Sequence, residues 1–547
     1  MKRILRIALI VLVSLTLFSC KAKKEERDDI YIFFTSDVHC GVEENLGLAS
    51  VKAVVDDAKA EHPYVSLVDC GDFLQGGAMG SLSKGKLIVD LMNAMDYDLV
   101  TYGNHEFDYG VNRLDELHDA MEFKPLAANV IYTGSQKNIF ENIDPYEIVE
   151  YGPIKVGYLG LLTPKTITNS TPTFFMEDGR YVYDFYSGNN GEDLAARTQE
   201  LVDEMREKGA DYVVVISHLG ARDNGGFDSI SLIARTQGID AVLDGHAHLT
   251  IVEDRYPNKN GDDVLLSSVG TKLSTLGELI IAKDGSLSSL HINEYNRQDE
   301  EIIRKIGEAN DELAQILNQK ITDLDHDILI CDEAGIRMSR SRETTAGNLV
   351  ADAYRWIMDT QISLANGGAV RASLNKGEVL YQNLLDITPF QNTLASCYAT
   401  GQAILDALEY GAQNCEGIYK LEDNAVGEYG GFLQVSGLKY TIDTSIPTPV
   451  VKDENGMLKG FEGERKVKDV YVLEDGEYVP IDPEKTYSVS STSYVIFEGG
   501  DGNTALLGSE PITREGPVDV NAMIEYVTML GDLTGRYTAT EGRIIIE

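Results

Sequence analysis

The 547-residue chain has few basic side chains and a single tryptophan. Its 47 lysines and arginines stand against 88 aspartates and glutamates, and the resulting formal net charge of −41 excludes a general grip on DNA or RNA. The 28 tyrosines and 51 glycines are typical of a loop-rich α/β protein, not of a disordered chain or a coiled coil. Collagen, a disulfide scaffold and a polytopic membrane protein are excluded by the same composition. Small anions stay possible ligands wherever arginines or metal ions gather.

The longest apolar run lies near the N-terminus, over Ile7–Phe18, and follows a basic start. This is the pattern of a secretory signal, and the run is shorter than the ~20 residues of a membrane-spanning helix. The sequence LFSC resembles a bacterial lipobox and predicts lipidation of Cys20; an ordinary signal peptide or an uncleaved anchor is the alternative. We expect a signal peptide over 1–20, a charged tether over 21–29, and a protein held to the cell envelope by its lipid.

Cysteine usage does not indicate a disulfide framework. The five cysteines beyond Cys20 are an odd number without close pairs, so we expect mostly buried thiols. Cys40 lies next to a candidate metal ligand, and we interpret it as a packed thiol with an extra soft ligand as the alternative.

The length predicts two domains, because single hydrophobic cores stop growing near ~250–300 residues. From Ile30 onward, strand, loop and helix patterns repeat, as a layered α/β sheet requires. The charged, proline-free segment Gln298–Gln319 predicts a bridging helix. We therefore place the domains at 30–297 and 326–547, with the linker at 298–325.

Polar side chains follow five successive apolar runs of the first domain. Five of the nine histidines lie at these points, and ligands bind at the carboxyl ends of strands in open α/β sheets. A single such histidine is more often structural, but structural packing alone does not explain the whole set. The candidate metal ligands are Asp37, His39, Asp72, Asn104, His218, His246 and His248.

The order D-x-H, G-D, G-N-H-E, H, G-H-x-H over residues 30–250 resembles the calcineurin-like metallophosphatase superfamily, and within it the 5′-nucleotidase family. The resemblance implies a four-layer α/β-β-α metallophosphatase sandwich, joined by a linker helix to a smaller α+β substrate-binding domain. It also implies two divalent ions, Zn, Mn or Fe, with Asp72 bridging them. One ion would take Asp37, His39, Asp72 and His248, and the other Asp72, Asn104, His218 and His246.

The same resemblance implies that His105 is the catalytic residue facing the phosphate. His105 would stabilise the transition state or protonate the leaving oxygen, and Asp108 would orient it and hold it protonated. The alternative for Asp108 is an N-cap before the helix predicted at Val111–Ala120. We interpret Glu106 as a structural hydrogen-bonding residue.

The second half carries NGG-x-x-R, TPFQN, FLQVSGL and EGGDG, in the order found in the family's substrate-binding domain. By resemblance, Arg340, Arg371 and a further candidate, Arg342, would hold phosphate, and Asn366 and Asp501 would bond the sugar. Phe390 and a second aromatic residue would sandwich the base, and Asn392 would touch the base edge. Val495 stands where the family has its second aromatic residue, so we choose Tyr494, with Phe497 as the alternative.

Together these patterns predict an exported, monomeric phosphoesterase that strips phosphate from nucleoside 5′-monophosphates by metal-activated water. The alternatives are a 2′,3′-cyclic-nucleotide 2′-phosphodiesterase with 3′-nucleotidase activity, and a UDP-sugar hydrolase. A third alternative, from another class, is a lipoprotein that captures nucleotides without hydrolysing them. The partners expected are a nucleotide and, through the lipid only, a membrane; no nucleic acid polymer is expected.

Overall fold

The structure is a computed structural model that describes residues 27–178, 180–221, 226–415, 428–453, 455–514 and 516–547. The predicted signal segment and Cys20 lie outside the described residues, so lipidation stays a prediction. No helix among the described residues is long and apolar enough to cross a membrane.

The first domain contains two six-stranded sheets that pack face to face. One has the order β16-β15-β1-β2-β3-β4 and the other β13-β14-β12-β11-β7-β6. The strands are β1 (Ile30–Thr35), β2 (Val65–Asp69), β3 (Leu99–Thr101), β4 (Lys124–Leu126), β5 (Ile131–Tyr132), β6 (Tyr146–Tyr151), β7 (Ile154–Leu161), β8 (Met176–Glu177), β9 (Arg180–Tyr181), β10 (Tyr183–Asp184), β11 (Tyr212–Ser217), β12 (Ala241–Asp244), β13 (Thr250–Pro257), β14 (Asp263–Val269), β15 (Leu276–Ile281) and β16 (Leu287–Ile292).

The alternation along β1 shows how the layers form. Ile32 and Phe34 point to the second sheet, where they share one buried cluster with Val214 and Leu243. Phe33 points the other way, into a cluster with the helices of the first domain. Side chains of a strand alternate between the two faces, so a strand buried on both sides reads as a continuous apolar run.

Helices cover the outer face of each sheet and complete four layers. The second sheet has its own outer cluster, to which helices α6 and α7 contribute. This arrangement confirms the predicted sandwich. The helices are α1 (Leu48–Glu61), α2 (Ala78–Ser83), α3 (Lys86–Met95), α4 (Val111–His118), α5 (Thr166–Asn169), α6 (Glu192–Glu207) and α7 (Ser229–Arg235).

Helix α8 (Glu300–Leu317) leads from the first domain to the second. It begins at Asp299, whose side chain accepts the N–H of Ile302 at 2.9 Å and so satisfies a donor that the helix leaves open. The buried side of α8, including Ile306 and Leu313, belongs to the cluster on the helical side of the first sheet. The linker therefore packs against the first domain, within a cluster that continues into the second domain through Leu384 and Leu385.

The second domain is a smaller mixed α/β unit. Its main sheets have the orders β21-β18-β27-β20-β28 and β26-β25-β22-β29. Its strands are β17 (Lys320–Leu324), β18 (Ile362–Asn366), β19 (Gly377–Leu380), β20 (Leu394–Thr400), β21 (Leu433–Ser436), β22 (Leu438–Ile442), β23 (Val450–Lys452), β24 (Leu458–Phe461), β25 (Val467–Glu474), β26 (Glu477–Pro480), β27 (Thr486–Thr492), β28 (Glu510–Thr513) and β29 (Ile544–Ile546). Its helices are α9 (Thr345–Ile357), α10 (Tyr381–Ile387), α11 (Gly401–Gly411), α12 (Ser493–Ile496) and α13 (Asp519–Leu530).

The two domains meet at the carboxyl ends of the first domain's strands. The Ser81 hydroxyl donates to the Pro389 carbonyl, and the Tyr494 hydroxyl donates to the Thr168 carbonyl at 3.5 Å. Loops of the second domain therefore lie directly above the strand ends that carry the candidate ligands.

Candidate active site

Five parallel strands deliver the candidate ligands to one place. Strands β1, β2 and β3 end just before Asp37, Asp72 and Asn104, and β11 and β12 end before His218 and His246. Because the two sheets pack face to face, these ends converge. Two groups of potential ligand atoms result: Asp37, His39 and His248 form one, and Asp72, His218 and His246 form the other.

The distances between potential ligand atoms are short, both within each group and from one group to the other. His39 Nε2 lies 3.1 Å from His248 Nε2, and His248 Nε2 lies 3.3 Å from an Asp37 oxygen. Asp72 Oδ2 is 3.0 Å from His218 Nε2 and 3.8 Å from His39 Nε2. Asp72 thus stands between the two groups, where a carboxylate can serve two ions.

The backbone is strained at most of these residues. Non-glycine residues rarely adopt positive φ, and such strain clusters at functional sites. Five candidate ligands have it: Asp37 (51°), His39 (45°), Asp72 (61°), His246 (71°) and His248 (54°).

The glycines of the motifs are explained by close packing behind the ligands. A Cβ on Gly103 would lie 2.1 Å from Asp72 Oδ1, and one on Gly245 would lie 2.9 Å from Asp37 Oδ2. Any side chain at these two positions would displace a ligand. This is the physical reason for the glycine in G-N-H-E and in G-H-x-H.

Hydrogen bonds fix which ring nitrogen each buried histidine presents. His39 Nδ1 lies 3.0 Å from the Gln75 carbonyl, and His218 Nδ1 lies 2.6 Å from the Cys70 carbonyl. A carbonyl only accepts, so each Nδ1 carries the proton and each Nε2 is left with a lone pair. That is the tautomer that binds a metal.

Glu106 holds the metal-binding loops together. Its carboxylate accepts the backbone N–H groups of Asp72 (2.9 Å), Phe73 (2.8 Å), Leu74 (3.1 Å) and Gly103 (2.6 Å). Burial and the nearby Asp72 carboxylate raise the pKa of Glu106 to about 7. The carboxylate ties two loops together, in agreement with the interpretation of Glu106 as a structural residue.

Two buried polar atoms show that the residues fit metal ions. The Asn104 side-chain oxygen is buried without a hydrogen-bond partner among the described residues, and the lone pair of His218 Nε2 faces the Asp72 carboxylate at 3.0 Å. A buried acceptor without a donor is unfavourable, and a bound cation removes that cost. Oxygen and imidazole donors of this kind suit Zn²⁺, Mn²⁺ or Fe.

His105 and Asp108 form a close pair beside the ligands. His105 Nδ1 lies 2.6 Å from Asp108 Oδ2, and the Ser170 hydroxyl donates to the other Asp108 oxygen at 3.3 Å. Burial disfavours the charged ring, but the Asp108 and Asp72 carboxylates outweigh it and raise the pKa of His105. Helix α4 is capped at Gly110 and takes no side-chain cap, so the N-cap alternative for Asp108 is wrong.

Several predicted substrate residues lie next to this pair. The Phe390 ring is 5.9 Å from the His105 ring, and the Arg371 guanidinium is 5.4 Å from the Phe390 centroid. The Asp501 carboxylate accepts from the Asn366 amide at 3.2 Å. Burial raises the pKa of Asp501 to about 6, against the favourable charges of Arg340, Arg371 and His105.

Among the described residues, no hydrogen bond, ion pair or ring contact joins Arg342 or Asn392 to this group. The Arg342 carbonyl accepts a hydrogen bond from the Gln434 amide at 2.6 Å. The positive charge of Arg342 opposes the rise that burial causes in the pKa of the Cys415 thiol. The Asn392 backbone is held by Asp519, with N–H and C=O distances of 3.3 Å and 2.9 Å. Their roles as phosphate and base contacts stay predictions.

Tyr494 and Phe497, the two candidates for the second stacking ring, are both engaged elsewhere. The Tyr494 hydroxyl accepts the Asp501 N–H at 2.8 Å, and its ring packs on the backbone of Gly500. Phe497 lies under the Arg514 guanidinium, 4.7 Å from its centroid. Tyr494 therefore braces the loop of Asp501, and stacking on a base stays a prediction for either ring.

Sequence reasoning missed Arg337 and Glu428. Arg337 stands three residues before Arg340 and pairs with Glu428 through two hydrogen bonds. The arginine-rich spelling IRMSRSR was a local signal for Arg337. Glu428 had none, because its pairing partner lies 91 residues away in the chain.

Cys40 packs as a buried thiol near the site. Its sulfur lies 3.4 Å from the Leu74 carbonyl and 3.7 Å from that of Phe73, and burial raises its pKa to about 12. A thiol in this state favours the packed interpretation over that of a soft metal ligand.

Family comparisons match both halves of the chain. Residues 30–249 match the calcineurin-like phosphoesterase family, and residues 320–508 match the 5′-nucleotidase C-terminal domain.

Known proteins with similar sequences or structures span nearly the whole chain. The trifunctional nucleotide phosphoesterase protein YfkN of Bacillus subtilis is 25% identical over 94% of this chain. The matched region is only 35% of the length of YfkN. The 5′-nucleotidase of Bos taurus is 26% identical, covering 94% of this chain and 90% of its own. The crystal structure of a 5′-nucleotidase precursor from Thermus thermophilus is 26% identical with a TM-score of 0.76, covering 95% and 99% of the two chains.

Proposed function

The chain belongs to the 5′-nucleotidase family, and from that premise we propose that it hydrolyses nucleoside 5′-monophosphates to nucleoside and phosphate. It is a metal-dependent phosphoester hydrolase whose metallophosphatase domain uses two divalent ions. One observation carries the choice of substrate: Arg371 and Phe390 of the second domain lie beside His105 of the metal-binding domain. A phosphate at the metals would therefore be attached to a group lying against an aromatic ring.

The first domain would hold the ions and position the reacting phosphoryl group. When bound, the two ions polarise the phosphoryl oxygens and lower the pKa of water, so that hydroxide is available near neutral pH. The first ion would take Asp37, His39 and His248, the second Asn104, His218 and His246, and Asp72 would serve both.

His105 would act on the phosphoryl group or on the leaving oxygen. Its Nδ1 is held by Asp108, so Nε2 is the ring nitrogen that would donate a proton or a hydrogen bond. The raised pKa keeps this donor protonated to higher pH than an ordinary histidine. Asp108 thereby sets both the orientation and the charge of His105.

The second domain would recognise the nucleoside and the phosphate. Arg371 and Arg340 would bind phosphate oxygens as planar forks, and Asp501 would accept from the ribose hydroxyls beside Asn366. Phe390 would stack on the base, an interaction tolerant of base identity. Recognition by stacking fits a nucleotidase of broad base range.

The capture of nucleotides without turnover is disfavoured by the site itself, since all the candidate ligands, His105 and Asp108 are in place. We propose in addition that the protein is exported and anchored by a lipid on Cys20, and that it works as a monomer. The proposals of export and anchoring are supported by the signal pattern and the LFSC sequence.

An assay of phosphate release, with the products from 2′,3′-cyclic AMP and UDP-glucose followed by chromatography, tests the proposed function. The purified protein would be given AMP, 2′,3′-cyclic AMP, UDP-glucose and ribose 5-phosphate, each with Mn²⁺, with Zn²⁺ and with EDTA. We expect turnover that depends on metal and is fastest with AMP. Faster cleavage of the cyclic nucleotide or of UDP-glucose would replace the proposal by the corresponding alternative.

A further inference from the structure

Three arginines of the second domain crowd together next to the site. They are Arg337, Arg340 and Arg371, here called the arginine cluster. Burial first, then Arg337 and Arg371, lower the pKa of Arg340 to about 9. Burial and Arg337 likewise lower the pKa of Arg371 to about 10, against the pull of the Asp108 and Asp72 carboxylates. Arg371 is therefore the member of the cluster that lies within electrostatic reach of the metal-binding domain.

Two of the three guanidinium groups have no carboxylate hydrogen-bonded to them among the described residues. Arg340 Nε is buried without a hydrogen-bond partner among the described residues. Arg371 donates from Nη1 to the Gly368 carbonyl at 3.3 Å. A buried donor without a partner is unfavourable until an anion binds, so the half-buried Arg340, with the half-buried Arg371 near it, suits one phosphoryl group.

The third guanidinium, that of Arg337, already pairs with the carboxylate of Glu428. Arg337 Nε donates to Glu428 at 2.8 Å and Arg337 Nη2 donates to its other oxygen at 2.5 Å, the two-pronged geometry that arginine also uses for phosphate. The Glu428 side chain is only 15% exposed. Its charge also acts on Arg340 and Arg371, so it lies within the reach of all three arginines.

The backbone holds Glu428 in this place. Its carbonyl accepts from the Asn414 amide at 3.2 Å, and the N–H of Tyr429, the next residue, donates to the Arg340 carbonyl at 3.1 Å. A backbone hydrogen bond thus joins the segment that carries Glu428 to Arg340, a member of the arginine cluster. The Glu428 carboxylate occupies the place on Arg337 where another anion would bind.

We propose that Glu428 is an internal counter-ion that occupies a second phosphoryl subsite on Arg337 and thereby sets the preference for nucleoside monophosphates over nucleoside diphosphates. The inference rests on the proposed nucleotidase function and deepens it. A monophosphate uses the metals with Arg340 and Arg371, whereas a second phosphoryl group would have to displace the Glu428 carboxylate from Arg337 and would be repelled by it. Removing the charge of Glu428 opens the subsite.

The test is a comparison of AMP and ADP in steady-state kinetics of the metal-loaded protein. Glu428→Gln keeps a hydrogen-bond acceptor for Arg337 but removes the charge. We expect the ratio of kcat/KM for ADP to kcat/KM for AMP to rise about tenfold, through a lower KM for ADP, since a freed guanidinium gains charge-assisted hydrogen bonds to phosphate. Glu333→Gln, on the exposed turn before Arg337, removes the same charge and serves as the matched control.

A second pair of variants separates this role from a merely structural one. Arg337→Gln alone should raise KM for both nucleotides, because Glu428 then competes for Arg340 and Arg371. The double variant Arg337→Gln/Glu428→Gln should regain the AMP KM of the wild type without gaining the ADP preference. An active Glu428→Gln enzyme with the wild-type ratio would overturn the proposal, as would a ratio that rises equally in the double variant. Absence of AMP turnover in the wild type would instead contradict the proposed function.

Discussion

The metal centre and the proposed nucleoside pocket are assembled in different ways. At the metal centre, the ligands lie just after the ends of parallel strands. Glycines with no room for a side chain allow the loops to approach one another closely. In the pocket, the side chains come from loops between Arg340 and Asp501, and they meet through long-range contacts such as that of Asn366 with Asp501. In the first arrangement, the place of each ligand is set by the end of the strand before it, whereas in the second it depends on how separate loops pack. We expect changes in the first to abolish chemistry and changes in the second to alter substrate preference.

The largest effect is expected at Asp72, the carboxylate between the two ligand groups. Asp72→Asn weakens the attraction for both ions, which supply several kcal/mol of transition-state stabilisation, so kcat should fall on the order of 10³-fold or more. Metal analysis should show fewer than two ions per chain. Asp90→Asn, on the exposed side of α3, is the control. Full activity of Asp72→Asn with two bound ions would show that the metal centre lies elsewhere.

The next effect concerns Asp108 and is visible in the pH profile. The Asp108 charge raises the pKa of His105, so Asp108→Asn lowers it and the protonated ring is lost at lower pH. The alkaline limb of kcat/KM should therefore move to lower pH, and kcat should fall about 10²-fold, as for the loss of an acid–base group. The measurement is kcat/KM for AMP across the pH range, with metal content checked at each pH. An unmoved alkaline limb would contradict the role of the pair.

A smaller and selective effect is expected at Phe390. Phe390→Ala removes a stacking interaction of about 1–3 kcal/mol per base, so KM for AMP should rise roughly 5- to 150-fold. Ribose 5-phosphate has no base and is the control substrate, for which kcat/KM should change little. An equal loss with both substrates would mean that Phe390 supports the fold or Arg371 and does not bind the base.

The smallest effect tests how the pocket is braced. Tyr494→Phe keeps the ring and removes the hydroxyl that accepts the Asp501 N–H. If Tyr494 braces the Asp501 loop, KM for AMP should rise a few-fold, in line with a hydrogen bond worth about 0.5–1.5 kcal/mol. If Tyr494 stacks on the base, as the sequence predicted, KM should be unchanged, because phenylalanine stacks equally well.

The same contrast explains how much of the fold and the site could be predicted from the sequence alone. The apolar runs predicted the strands, and because parallel strands end together, the residues after them could be placed in one cluster. Glu106 could be identified as structural but not as the acceptor of four backbone N–H groups. Such a hub depends on how two loops pack, and no local pattern encodes it.

In the second domain, sequence patterns found the loops but not all the partners. Arg340, Asn366, Arg371, Phe390 and Asp501 were located through family motifs, and the structure brings them to the cleft. The Arg337–Glu428 pair was missed because it joins residues remote in the chain. The second aromatic ring stays undecided, since the stacking partner of a base depends on where the loop of Asp501 lies and not on spacing alone.

The most direct test of a shared active site is a crystal structure with Mn²⁺, adenosine and inorganic phosphate. An anomalous-scattering map locates the manganese ions, and the ordinary electron density locates phosphate and adenosine. We expect two manganese peaks on either side of the Asp72 carboxylate, phosphate beside His105 and Arg371, and adenine against Phe390. A single peak, or adenosine bound away from Phe390 and Asp501, would contradict the shared active site.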